Sequence, residues 1–264
     1  MIPNILSIAG SDPSGGAGIQ ADIKAIGANG GYGMAAIAAL TVQNTRGVSG
    51  AMTIDAAFVA AQIEAVFDDI RVDAVKIGML GEAGIVRAVA AALAGRDVPI
   101  VLDPVMVAKG GDRLLAAEAV AALGADLLPM AAIVTPNLPE AADLLGAPEP
   151  TDREGMRRAA EALLALGCGA VLLKGGHLAG DESPDLFVSE ARHEWLEAPR
   201  IETPDTHGTG CTLSSALATW LARTGDAFAA AKAAKAYTLG AIEGAGRLSV
   251  GGGHGPTDHF FAWR

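Results

Sequence analysis

The run Ile5-Leu6-Ser7-Ile8-Ala9-Gly10-Ser11-Asp12-Pro13-Ser14-Gly15-Gly16-Ala17-Gly18-Ile19-Gln20-Ala21-Asp22 sets the architecture of this chain. It opens with an apolar stretch of strand length, 5–9, crosses a loop of small residues, and enters a segment with helical spacing, 19–28. A strand with almost no polar alternation is buried on both faces, as in a parallel sheet covered by helices. The same unit recurs downstream. Apolar runs at 34–40, 74–77, 100–102, 132–135 and 170–173 alternate with helical patterns at 56–67, 83–93, 157–166, 213–222 and 227–243. This order predicts an α/β fold with a largely parallel central sheet and helices on both faces. Asp55 is placed to cap the helix that starts at 56, and Thr151 or Asp152 the helix at 157–166. From Leu186 to Leu196, alternating and aromatic residues predict a hairpin turning at Glu190-Ala191-Arg192, a small antiparallel edge on the sheet.

A chain of 264 residues, 51% of them hydrophobic, buries a substantial core, and this length is compatible with one domain spanning 1–264. No stretch has linker composition and no repeat has a fixed period. The 19 Lys and Arg against 30 Asp and Glu give a net charge of −11, without any basic and aromatic cluster. That balance argues against nucleic acid or an anionic membrane as a partner. An anionic ligand must instead be held by a few local donors such as Lys174, Lys235 and backbone amides. Cys168 and Cys211, the only cysteines, lie far apart and suggest neither a disulfide framework nor a metal site. The N-terminus has no signal-peptide character, and alanine-rich runs such as 88–94 are too short to span a bilayer. A cytoplasmic location is expected.

In parallel α/β sheets, ligands gather at the loops beyond the carboxyl ends of the strands, so the glycine-rich joints at 15–18, 30–33, 110–111, 175–176 and 251–255 come first. The most informative loop is Asp205-Thr206-His207-Gly208-Thr209-Gly210-Cys211-Thr212, which opens a helix through Leu213 and Leu217. A first turn leaves several N–H groups unpartnered and carries the positive end of the helix dipole. Gly208 and Gly210 let an anion approach that bare backbone, although a plain cap by Thr206 or Thr209 accounts for the same residues. The loop Asp12 to Gly18 fits neither a Walker loop nor G-x-G-x-x-G, and suits a small uncharged ligand better. Asp22 either points back at that ligand or is an exposed helical carboxylate. Asp103-Pro104-Val105-Met106 and Thr135-Pro136-Asn137-Leu138-Pro139-Glu140 end two strands at one sheet edge. Their two carboxylates and amide suit a hydrated magnesium ion, and Asn137 with Glu140 also forms a capping box; the two readings coexist. Lys174 at another strand tip, beside Gly175-Gly176, suits a polyphosphate, and Lys235 is a candidate of the same kind. His207 and Cys211, four apart, invite a thiol nucleophile with a histidine base, but no third, orienting residue is evident. A thiol at a helix N-terminus ionises more easily, while bound phosphates oppose that shift. His254 and His259 lack partners at zinc-ligand spacing.

Taken in order, Gly10 to Gly18, Asp22, Gln43-Asn44-Thr45, Lys76-Ile77-Gly78-Met79-Leu80, Asp103-Pro104-Val105-Met106, Thr135 to Ala141, Lys174-Gly175-Gly176-His177 and Thr206 to Thr212 closely resemble the hydroxymethylpyrimidine/phosphomethylpyrimidine kinases of thiamin biosynthesis. The resemblance covers nearly the whole chain. It implies a ribokinase-like fold and phosphorylation of 4-amino-5-hydroxymethyl-2-methylpyrimidine, then of its monophosphate, with ATP and magnesium. Related sugar kinases end the anion hole in a basic aspartate where this chain has Cys211, which favours the pyrimidine kinase and leaves the base open. By the same resemblance Gln43, Gly10, Asp22, Met79 and Val105 surround the pyrimidine. Lys174, Asn137 and Thr206 serve ATP, Asp103 and Glu140 hold magnesium, and Gly208, Thr209, Gly210 and Cys211 cradle the moving phosphoryl group. A homodimer is implied, with edge strands near 34–40 as its contact. The alternatives are a pyridoxal or pyridoxine kinase and a non-catalytic nucleotide- or pyrimidine-binding protein.

Overall fold

In the computed structural model, which describes residues 1–106 and 117–264, β1 (Asn4–Ala9) is buried from Ile5 onward. Successive strand residues point to opposite faces, so Ile5 enters one apolar core while Leu6 and Ile8 enter another. β2 (Tyr32–Ile37), β5 (Ala74–Ile77), β6 (Ile100–Leu102), β7 (Ile133–Val134) and β8 (Ala170–Lys174) continue the parallel sheet. β9 (Asp185–Ser189) and β10 (Arg192–Leu196) close it as an antiparallel hairpin. The strand order is β10-β9-β8-β7-β6-β5-β1-β2, so β1 lies inside the sheet between β5 and β2, both of which follow it in sequence. Arg192, expected in the turn, is instead the first residue of β10 and pairs with Ser189.

α1 (Gly18–Ala28), α7 (Thr209–Thr224) and α8 (Ala227–Glu243) pack on the face that receives Ile5, Val101, Ile133 and Leu172, through residues such as Ile26, Leu213, Leu217 and Ala230. α2 (Ala56–Asp69), α3 (Ala83–Leu93), α4 (Ala117–Ala122), α5 (Leu138–Leu145) and α6 (Arg153–Leu164) cover the other face. Asp55 caps α2 by accepting from the Phe58 amide, and Asp152 rather than Thr151 caps α6. Asn137 and Glu140 form the reciprocal capping box of α5.

The apolar run at 34–40 is not one strand. β2 stays with β1 only as far as Ile37, opposite Ala9, where β1 ends. After Ala38 the chain leaves the sheet as β3 (Ala39–Asn44), which pairs antiparallel with β4 (Gly47–Thr53) in a separate two-stranded flap. From Ala39 the burial alternates, with Val42 66% and Met52 60% exposed, a half-solvated pattern that a contiguous apolar run conceals. The joint Gly110-Gly111 lies outside the described residues. Among the described residues no helix is long and apolar enough to cross a membrane.

Candidate active site

A cavity of about 910 Å³ opens at the carboxyl ends of β1, β5, β6 and β8, with β3 of the flap on one side and α7 at its floor. The first turn of α7 is built from Gly208, whose φ of 76° lies in the left-handed region that favours glycine. A Cβ there would overlap the Gly16 carbonyl oxygen, so the second reason for glycine is that two backbones touch. No side chain caps this helix end. The Thr209 amide makes only a long 3.4 Å bond to the Thr206 carbonyl, and Thr209, Gly210 and Cys211 line the cavity at the start of the helix, with the helix dipole behind them.

Facing them is a charged cluster. Lys174, at the tip of β8, donates to Asp103 at 3.0 Å and lies 3.7 Å from Glu140. Asp103 also accepts from Thr135 at 3.1 Å and from Ser214 at 3.2 Å, which ties β6, β7 and α7 together. The cluster adjoins the helix mouth: a Cβ on Gly210 would sit 3.4 Å from Lys174 Nζ and 3.5 Å from Asp103 Oδ2. Burial pushes Glu140 up to about 7; Lys174 opposes that shift and Asp103 reinforces it. Burial would also raise Asp103, but Lys174 and Lys76 override it and hold the carboxyl below its ordinary value. Burial would lower the Lys174 ammonium, yet Asp103 and Glu140 hold it well above the usual lysine range. Among the described residues no three His, Cys, Asp or Glu side chains converge as a cation cage. Asp103 and Glu140 nevertheless fit magnesium, a hard cation that keeps several waters and takes one or two carboxylates beside phosphate oxygens.

The opposite wall is organised by Asp12. Its carboxylate accepts from the amides of Ser14, Gly16 and Ala17 at 2.8, 3.2 and 2.9 Å and from the Ser14 hydroxyl at 2.7 Å. It also bonds His207 Nε2 at 2.8 Å, locking the 12–17 loop onto the residue before the anion hole. Burial would raise Asp12, but the His207 and Ser14 hydrogen bonds hold it below the usual carboxylate value. His207 is therefore committed to Asp12, with Gln43 Nε2 3.5 Å from the same nitrogen, and the cysteine–histidine dyad suggested by the 207–211 spacing is replaced by this pair. Cys211 lines the cavity with a thiol pushed up to about 11 by burial; Lys76 works against that shift, and Asp22 and Asp103 with it.

Of the residues expected at the pyrimidine, Gly10, Gln43, Met79 and Val105 line the cavity. Met79 lies against Gly10, and its carbonyl accepts the Gly10 amide at 2.9 Å. Asp22 is a correction: it is neither on the cavity wall nor exposed. It is wholly buried beneath the site, where both oxygens accept from Lys76 at 2.8 Å and it also takes hydrogen bonds from Ser7 and Ser215. Asn137 and Thr206 line the cavity, as does Lys235, whose ammonium is held by Asp185 and the Ser183 carbonyl, each at 2.7 Å. Sequence reading missed Lys76 and the Asp12–His207 pair. A lysine inside the apolar run 74–77 was the available signal for the first; the partners in the second are 195 residues apart and had none.

Fold and site together define an α/β protein of the ribokinase-like class, built to hold an anion between a helix mouth and a buried lysine–carboxylate cluster. The model of the phosphomethylpyrimidine kinase family matches residues 12–258, and the chain belongs to that family. A hydroxymethylpyrimidine/phosphomethylpyrimidine kinase from Escherichia coli (strain K12) is 51% identical over 261 residues, covering 98% of each chain. The crystal structure of phosphomethylpyrimidine kinase from Clostridium difficile 630 superposes with a TM-score of 0.81 at 41% identity, covering 91% of this chain and 99% of that one. An ADP complex of Bacillus subtilis pyridoxal kinase superposes with a TM-score of 0.90 at 35% identity, covering 100% and 99%.

Proposed function

We propose that this chain transfers the γ-phosphoryl group of ATP to the hydroxymethyl oxygen of 4-amino-5-hydroxymethyl-2-methylpyrimidine, and then a second one to the resulting monophosphate, in thiamin biosynthesis. One observation carries the reading: the uncapped first turn of α7 adjoins Lys174 and Asp103, so that a Cβ added at Gly210 would lie 3.4 and 3.5 Å from their charged atoms. Phosphoryl transfer is mostly positioning and electrostatic stabilisation of charge spread over oxygens, which fixed amides and a lysine meet without reorganising. Gly208 to Cys211 cradle the group in transfer, while Lys174, Asn137 and Thr206 hold the nucleotide, with Lys235 on the rim. Asp103 and Glu140 hold magnesium, which when bound neutralises phosphate charge. Gln43, which donates and accepts at once, reads the aminopyrimidine edge, with Gly10, Met79 and Val105 about the ring. Cys211 enters as a thiol that completes the anion site, and acts as a base only through its minor thiolate form. The reading extends to one kinase domain over 1–264, a homodimer through the exposed face of the flap, and a cytoplasmic location.

The test is product analysis by mass spectrometry after incubation with ATP, magnesium and the pyrimidine alcohol. Mono- and diphosphate are expected; ADP formation that ignores the pyrimidine refutes the assignment. The pyridoxal kinase superposition at 0.90 favours one second reading, phosphorylation of pyridoxal. Parallel kinetics with both substrates separate them, and Gln43→Met raises KM for the pyrimidine selectively if Gln43 reads its edge.

A further inference from the structure

Lys76 is among the largest fully buried side chains of the protein, and its ammonium is bonded to both oxygens of an equally buried Asp22. Such a pair is a poor stabilising device, because the desolvation of two ions offsets much of their attraction and apolar side chains of similar volume do as well. Its placement is the informative part. Asp22 accepts from Ser215 Oγ at 2.8 Å, and Ser215 stands four residues after Cys211 on α7, one turn deeper on the same helix face. Lys76 reaches the same floor from β5. It lines the cavity, and a Cβ on Gly78 would sit 2.7 Å from its Nζ, so glycine at 78 keeps the space into which the ammonium curls. The charged groups facing Cys211 are Lys76 from β5, Asp22 from α1, Asp103 after β6 and Lys174 from β8. Among these, Lys76 favours the thiolate, whereas Asp22 and Asp103 oppose it.

We propose that Lys76 is a positioning residue for phosphoryl transfer: its buried charge, held by Asp22 one turn beneath Cys211, stabilises negative charge at the mouth of α7, the Cys211 thiolate first. The proton that leaves the thiol passes to solvent through the open cavity, and the thiolate then receives the proton of the substrate hydroxyl, so charge and protons balance over a turnover. This inference rests on the kinase reading, but its decisive test does not.

The experiment reads the rate of iodoacetamide modification of Cys211 against pH in the full-length protein without ligands, with Cys211 and Cys168 resolved by peptide mass. Below a thiol's pKa, the rate follows the thiolate fraction, tenfold per unit. Lys76→Met slows modification at fixed pH by about tenfold or more, and lowers kcat with little change in KM for the pyrimidine. Asp22→Asn removes the opposing charge and speeds modification by roughly threefold or more. A purely structural role moves both variants in one direction. If Lys76→Met does not fold, Asp22→Asn alone carries the test: removing the carboxylate speeds modification, and a slowed or unchanged profile overturns the inference. An unchanged profile in a folded Lys76→Met, or single variants shifting the same way, overturns the inference. Wild-type protein that makes no pyrimidine-dependent ADP sinks the kinase reading alone, because the alkylation profiles stand without it.

Discussion

Gly208→Ala is the sharpest perturbation of the anion hole, because the cost can be worked from two geometric features. The residue sits at φ 76°, where a Cβ costs about 1–2 kcal/mol. That Cβ would also overlap the Gly16 oxygen and lie 2.8 Å from the Gly16 carbonyl carbon, against an ordinary carbon–carbon contact of about 3.5–4.0 Å. Both neighbours are backbone, so nothing rotates away and the 12–17 loop and the mouth of α7 must separate by about an ångström. A misplacement of that size costs on the order of hundredfold in rate, in the same range as losing one anion-hole donor. The expected outcome is a kcat for pyrimidine-dependent ADP release lower by about hundredfold or more, with Tm lower by roughly 2–8 °C. Gly210→Ala is the control: its Cβ finds ordinary contacts at 3.4 and 3.5 Å, and kcat stays within about tenfold. A folded Gly208→Ala protein with kcat within fivefold of wild type, taking ~hundredfold as the expected loss, would refute the assignment of these amides.

Three further outcomes follow from the same geometry. Glu140, lifted by burial from 4.5 to about 7, binds its proton more tightly folded than unfolded. Its contribution to stability is therefore fully present below its unfolded value and is lost as pH rises toward 7, while magnesium, competing with that proton, binds better as pH rises. The magnesium concentration for half-maximal ADP release should fall from pH 6 to 8 in wild type, and Glu140→Gln should flatten that dependence. Lys174→Met leaves the buried Asp103 carboxylate without its nearest counter-charge, a loss of about 3–5 kcal/mol that thermal unfolding reads as a Tm lower by roughly ten degrees. Val42→Asp places a charge on the 66% exposed apolar face of the flap. Sedimentation should show a dimer for wild type and a monomer for this variant; an unaltered dimer moves the contact elsewhere.

The fold was legible where local pattern and tertiary environment agree. The apolar strands of the sheet and the helices at 83–93 and 227–243 read directly because burial on one or both faces dictates their composition. The flap was not legible, because Leu40 and Val42 are apolar yet exposed, and hydrophobicity alone reads them as core. α7 begins at Thr209 rather than at Leu213 because its first turn is shaped by ligand access and a left-handed glycine instead of by burial. In the site, residues announced by a loop at a strand end, Asp103, Asn137, Glu140 and Lys174, reach one cavity. Asp22 misled because its helical position says nothing about a cation arriving from 54 residues away.

The buried charges at the floor of the cavity explain how a chain of net charge −11 accommodates anions. Two ammonium groups, Lys76 and Lys174, meet three carboxylates, Asp22, Asp103 and Glu140, all of them buried or nearly so. Lys76 is matched by Asp22, and Lys174 by Asp103, which leaves Glu140 in excess. Burial removes the excess by keeping a proton on Glu140 to about 7, so the ligand-free floor is close to neutral. Such a floor has little long-range pull on an anion, and surface charge of the same sign as the substrate would hinder approach further. Recognition then falls to short-range groups, the α7 amides and Lys174, which act at full strength only once water is displaced. A proton held by Glu140 in the ligand-free site would have to leave before that carboxylate could hold a divalent cation beside a nucleotide, which keeps the floor near neutral until an anion is present. The protein thereby avoids holding an uncompensated buried charge between turnovers, a state that would cost several kcal/mol of a stability that is itself only about 5–15.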